Sequence, residues 1–297
     1  MASLIIRRAV QYTTNQPQTV CLSTVPHAMI AAFDPGFLAR SPILSTLSWL
    51  APQLDWQDWP SQHQLDTLNS PHDGPVIPRF RYPTDNEAEA TYYEWTVYQH
   101  RTVPTRRENW HDLFNALCWL TFPRIKHALN LRHIDELKQQ NGLHQRTRKR
   151  DAATLLDESG ILLAYTDTQL IDALNQHHWN KLFVSNRQAW GKQIQPFVIG
   201  HALLERAHQP FIGMTAKVLP VRVEADFFSL PHTIQLAQLD KIVSVAFADT
   251  AFLSTPREMP PLPLLGIPGW HPDNLNPMFY QNLDYFRPKR DQTAAEK

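Results

Sequence analysis

From Thr105 to Leu120, in TRRENWHDLFNALCWL, ionisable and amide side chains are set into an otherwise apolar helical pattern. The spacing predicts a helix whose packing stripe is Leu113, Leu117 and Leu120, with His111 and Asn115 one turn apart on another side and Asp112 next to them. A buried polar group left unpaired costs roughly 1–3 kcal/mol. This helix therefore opens onto a cleft, meets polar partners from elsewhere, or holds a ligand. Thr105 with Glu108 fits a capping box at its start, and Asn109 with Asp112 offers a second frame one turn later. Pro123 should end it, and a shorter amphipathic stretch, IKHALNLRHIDELKQQNG, should follow and close at Gly142.

Residues 1 to 90 alternate short apolar runs with Pro, Asn, Asp and Gln, which predicts one or two helices among irregular connectors, with PHDGPVIP as a loop. EWTVYQHRT, Glu94 to Thr102, has strand composition. DAATLLDESGILLAYTD places two apolar segments around Glu158, Ser159 and Gly160 and predicts a hairpin. In that register Asp157 pairs with Ile161, and Asp151 falls opposite Asp167, where two carboxylates about 5 Å apart need a cation or a helix N-terminus beside them. Asp167 also precedes the helical run TQLIDALNQHHW and can cap it. In QPFVIGHALLERAHQP, Phe197 to Ile199 reads as a buried strand, Gly200 as a turn and His201 to His208 as a helix, so His201 and Glu205 share one face. AKVLPVRVE predicts a further strand and QLAQLDKIVSVAFAD a further helix. The Pro-, Trp-, His- and Asn-rich tail from Thr255 should wrap over the core and could roof a pocket. No fixed-period repeat is present, which argues against a solenoid.

The pattern predicts an α+β fold: one helix-rich unit around a small mixed sheet built from Glu94 to Thr102, the 152–166 hairpin, 196–199 and 216–224. Residues 1–90 form a segment packed on the core, 91–254 the core, and 255–297 an extended tail. With 297 residues, 43% of them hydrophobic, the chain can bury one large core or two smaller ones.

Composition narrows function mainly by exclusion. Lys plus Arg and Asp plus Glu both number 28, so there is no global electrostatic case for nucleic acid or an anionic membrane. No apolar run approaches the roughly 18 residues of a membrane span, and the start lacks the order of a secretory signal, which predicts a cytoplasmic protein. Cys21 and Cys118 read as buried reduced thiols, and no CxxC offers a thiolate zinc site. The nine glycines form no GxGxxG, GxxxxGK[ST] or GxSxG, which removes the usual phosphate loops and the nucleophile elbow.

The motifs NWHDLFNALCWLTFPRIKHALN, RDAATLLDESG, IGHALLE and LPLLGIPGWHPDN resemble, in this order and spacing, a bacterial family known as domain of unknown function family 3025. The resemblance covers roughly residues 90 to 288 and implies no activity, cofactor or catalytic residue. The chemistry must come from the side chains.

The sharpest candidate joins His111, Asn115, Asp151, His201 and Glu205 where the Thr105 helix, the hairpin end and the Gly200 helix meet. His111, Asp151, His201 and Glu205 give the mixed imidazole and carboxylate ligation that suits zinc, iron or manganese, and such a divalent metal could activate water for hydrolysis of a phosphate, amide or glycosidic bond. Without a metal, His111 or His201 could act as a base oriented by Asp112 or Glu205. Cys118 reads as structural, and Asp157 and Glu158 as turn residues rather than an acid and base pair. A different class is non-enzymatic ligand or anion binding. Arg106 and Arg107 with Arg146, Arg148, Lys149 and Arg150 could rim a helix N-terminus for a phosphate-bearing small molecule, with Asn115 in the pocket and Trp110 or Trp270 stacking on it. The plain alternative is a solvated basic loop and a well-satisfied core.

Overall fold

A computed structural model of the chain describes residues 32–68, 70, 77–83, 92–139 and 146–289, and these belong to one compact unit. Cys21, Gly142 and most of the PHDGPVIP loop lie outside the described residues. In chain order the helices are α1 (Gln62–Asp66), α2 (Tyr93–His100), α3 (Trp110–Thr121), α4 (Pro123–Gln139), α5 (Arg148–Ser159), α6 (Thr168–Asn175), α7 (His201–Arg206) and α8 (His232–Ala246). The strands are β1 (Arg79–Arg81), β2 (Thr102–Pro104), β3 (Gly160–Tyr165), β4 (Ile194–Val198), β5 (Thr215–Arg222) and β6 (Pro261–Pro263).

The α+β class holds: helices surround a four-stranded mixed sheet of order β4-β3-β5-β6. β3 pairs antiparallel with β4 and parallel with β5, so Ile161 stands beside both Val198 and Val218. Buried on both sides, β3 reads as the continuous apolar run GILLA. β1 and β2 form a separate parallel pair. The 3-10 run Pro42–Gln53 is tied to this core by Trp49 Nε1 donating to Thr121 Oγ1 at 3.2 Å and by Val198 N donating to Thr46 Oγ1 at 2.8 Å.

Two expected strand segments are helices. Glu94 to His100 belongs to α2, which ends where Arg101 turns left-handed. Its aromatic and β-branched content suits a strand only on average, and packing decides otherwise: Asn130 Nδ2 of α4 donates to the Glu94 carbonyl at 2.9 Å. The expected hairpin at 152–166 is also absent. Thr147 accepts from Arg150 N and starts α5, whose buried Ala152, Ala153 and Leu156 keep helical spacing up to Gly160, where β3 begins. Asp151 therefore never faces Asp167. Asp167 caps α6 by accepting from Gln169 N at 2.9 Å.

α3 starts in the later of its two frames, with Asn109 accepting from Asp112 N, and the leucine stripe is buried as expected. α4 follows at once, its N-terminal amides at Arg124 and Ile125 held at 3.1 and 2.9 Å by the fully buried Asp240 carboxylate of α8. Gly160 and Gly200 fix the remaining junction. A Cβ on Gly200 would stand 2.5 Å from Gly160 N and 2.6 Å from the Glu158 carbonyl oxygen. The Ile199 and Gly200 amides both donate to the Gly160 carbonyl. The end of α5 and the start of α7 are thus pressed together.

Candidate functional site

That junction places the last turn of α5 against the first residue of α7, and α3 packs along α7. His111 Nδ1 is 3.0 Å from Glu205 Oε2. A carboxylate only accepts, so this nitrogen carries a hydrogen and Nε2 of the neutral ring is left as a lone pair. His111 Nε2 points at His201 Nε2, 3.1 Å away. His201 Nε2 is in turn 3.5 Å from Glu158 Oε2, and its Nδ1 lies 3.9 Å from Asp157 Oδ2. Among the described residues, one oxygen or nitrogen from each of His111, Glu158 and His201 falls within 4.8 Å of the others, a group able to hold a metal ion.

A second set of polar groups continues from this one. Lys126 of α4, 2% exposed, donates to Asp157 and, at 2.8 Å, to Asn115 Oδ1. Asn115 Nδ2 donates to the Tyr93 hydroxyl at 3.0 Å, and Trp119 Nε1 donates to the same oxygen at 3.0 Å. All of these residues except Glu205 line one cavity of about 590 Å³, together with Asn130, His133 and, among others, Arg81, Arg106 and Arg146. Among the described residues no lining group comes from the tail beyond residue 254, so the tail does not roof this pocket. It adds β6 to the sheet instead.

The titration behaviour follows from the packing. The Glu205 hydrogen bond raises His111 above the ordinary imidazole range, outweighing burial, with Glu158 adding to the rise. Burial takes His201 the other way, down to about 4. Burial and then the neighbouring Asp157 charge raise Glu158. Burial alone would raise Asp157, but the Lys126 ammonium and then His201 hold it below the usual carboxylate range. Burial pushes the Cys118 thiol up to about 12, which leaves it unreactive.

Of the residues singled out in the sequence, His111, Asn115, His201 and Glu205 converge. Asp151 does not, because it sits two helical turns, about 10 Å, before Glu158 on α5. Asp112 lines the cavity but is committed to Arg106, whose backbone amide, Nε and Nη2 reach it at 2.7, 2.9 and 2.9 Å, so it orients neither imidazole. The basic rim is dispersed. Arg107 lies over the Tyr82 ring, and Arg150 is buried and donates to the Tyr92 hydroxyl. Trp110 is a core residue packed among Phe33, Phe37, Trp59, Phe114 and His208, and no stacking platform.

Sequence reasoning missed Lys126, Asp157, Glu158 and Tyr93. Asp157 and Glu158 were hidden by the hairpin reading, although Ala152, Ala153 and Leu156 carry a helical period that puts the acidic pair at a helix end. Lys126 had a signal too, a cation set between Ile125 and Leu129 on the buried side of α4. Tyr93 had none.

Fold and cavity together define an α+β protein with two histidines and a carboxylate gathered at a helix–helix junction. The chain belongs to the family described as Protein of unknown function (DUF3025), whose model matches residues 79–290. No curated protein and no solved structure matches the chain. No helix among the described residues is long and apolar enough to cross a membrane.

Proposed function

We propose that this cavity is the active site of a metal-dependent hydrolase acting on a small molecule in the bacterial cytoplasm. His111 Nε2, His201 Nε2 and a Glu158 oxygen would hold one divalent ion, zinc, iron or manganese. The observation that carries the reading is the 3.1 Å separation of the two Nε2 atoms. Two nitrogens about 2.0–2.1 Å from one tetrahedral ion stand about 3.3 Å apart, so the pair needs almost no rearrangement. The 3.5 Å from His201 Nε2 to Glu158 fits the same geometry. His111 is backed at Nδ1 by Glu205 at 3.0 Å, the arrangement that orients a histidine ligand and raises its basicity, and the Asp157 carboxylate lies 3.9 Å from His201 Nδ1, beyond hydrogen-bond reach. A divalent ion held by His111, His201 and Glu158 would supply a water acidified toward neutrality for hydrolysis, with Glu205 keeping the His111 ring oriented.

The cytoplasmic setting fits a free, buried Cys118. A small-molecule substrate is favoured over nucleic acid by the balanced charge and by a cavity of about 590 Å³. Metal analysis of protein purified without a histidine tag tests the reading. About one ion per chain is expected in the wild type, falling to background in His111→Ala and His201→Ala. Substoichiometric metal in the wild type would leave a proton, and no ion, between the imidazoles.

A further inference from the structure

The hydrogen-bond chain beside the metal group has a direction. Lys126 has only donors, so Asn115 must present Oδ1 to it, and this fixes the amide: Nδ2 can only donate, and it does so to the Tyr93 oxygen. The indole nitrogen of Trp119 is likewise a donor only, and it reaches the same oxygen. The Tyr93 oxygen thus accepts twice. Its own hydrogen is driven into a third direction, and among the described residues no acceptor meets it. Tyr93 lines the cavity.

We infer that the Tyr93 hydroxyl is the cavity's oriented hydrogen-bond donor and that it binds the carbonyl oxygen of an acyl substrate, an amide or ester. Accepting two hydrogen bonds, one relayed from an ammonium, polarises the phenol and strengthens it as a donor. The geometry is commensurate with acyl hydrolysis. Asn115 is four residues from His111 on α3, a rise of about 6 Å. That span is of the size an acyl group needs to set its carbonyl oxygen on Tyr93 and its carbon toward His111. As negative charge builds on that oxygen during addition, a donor already aimed at it stabilises the transition state more than the bound substrate.

The donor itself points to a neutral acyl group. The Lys126 ammonium is already committed to Asp157, and Arg81, Arg106 and Arg146 line the same cavity. A phosphate would be held by such cations rather than by Tyr93, whereas a neutral carbonyl is matched by one oriented hydroxyl. The reacting bond rests on the hydrolase reading, whereas the Tyr93 hydrogen bond does not.

Infrared difference spectra of benzamide labelled with 13C at the carbonyl test the inference on the full chain, both treated with chelator and loaded with zinc. Binding should move the carbonyl stretch to lower frequency in both preparations. The shift should vanish in Tyr93→Phe, with roughly tenfold weaker binding, and grow when Tyr93 is replaced by 3-fluorotyrosine, a stronger donor and weaker acceptor. Tyr93→Phe also leaves the Asn115 and Trp119 donors unpaired. If circular dichroism shows that variant unfolded, the fluorotyrosine comparison decides, and an unchanged shift there overturns the inference. Failure of benzamide to bind, a shift that survives in folded Tyr93→Phe, or inorganic phosphate binding more tightly than benzamide overturns it as well. A shift present in protein that never takes up stoichiometric metal keeps Tyr93 as the donor and removes the hydrolase.

Discussion

Lys126 carries the most consequence of any single residue. It is buried, it neutralises Asp157, and it sets the direction of the Asn115–Tyr93 chain. Burial would strip the proton from its ammonium, but Asp157 and the other acidic groups around it together outweigh burial and keep it charged. Lys126→Met should destabilise the fold by about 3 kcal/mol in urea unfolding, because it leaves Asp157 buried without a partner. Adding Asp157→Asn should recover part of that loss. Equal losses in the single and double variants would show the pair to be energetically uncoupled.

A second residue sets a pH dependence. His133 is buried, and burial takes it down to about 4 from an ordinary 6.5. Between those values the unfolded chain binds a proton that the folded chain refuses. Stability therefore falls as pH drops from 6.5 toward about 4, by about 3 kcal/mol for this residue. His133→Leu also removes an Nδ1 that has no hydrogen-bond partner. In denaturant titrations at pH 7 and 4.5, the variant should lose less stability than the wild type over that interval. An equal loss would assign the acid sensitivity elsewhere.

Among the elements, the contact between the end of α5 and the start of α7 builds the site. Gly200 permits it, since a Cβ there would press on backbone atoms that cannot rotate away. Gly200→Ala should cost at least about 2 kcal/mol and weaken metal uptake, because His201 is the next residue. Thermal unfolding and metal titration of the same sample would check both effects, and unchanged metal affinity would contradict the positional role. The α4 N-terminus depends similarly on Asp240, and Asp240→Ala should cost about 1–2 kcal/mol by removing the acceptor of two helix-start amides.

The elements also explain what was legible. α3, α7 and their polar pairs could be read directly, because the apolar period and the cap residues agree there. The end of α5 could not. Asp157-Glu158-Ser159-Gly160 has the composition of a turn, and only the packing of Ala152, Ala153 and Leu156 makes the residues before it helical. α2 was obscured for the opposite reason: EWTVYQH buries Val97 but no other described position in the helix, so its period is faint. Its place is set by bonds from Asn115, Trp119 and Asn130 that join residues distant in sequence.

At the scale of the whole molecule, the fold is a small mixed sheet whose connections bring three helices to one cavity. His111 is supplied by α3, Glu158 by α5, and His201 with Glu205 by α7. An ion bound among them stabilises the native state by mass action, about 2.7 kcal/mol at a free concentration one hundred times its dissociation constant. Chelator treatment should accordingly lower the unfolding temperature of the wild type and leave that of His201→Ala unchanged. The convergence of His111, His201 and Glu205 could be anticipated from i and i+4 spacing, but the choice of Glu158 over Asp151 depends on a helix where a hairpin was expected. The most direct measurement is anomalous diffraction at the metal absorption edge from crystals of tag-free protein. The account predicts one peak about 2.0–2.2 Å from His111 Nε2, His201 Nε2 and a Glu158 oxygen, and a cavity without an anomalous peak, its two imidazoles still in direct contact, would contradict it.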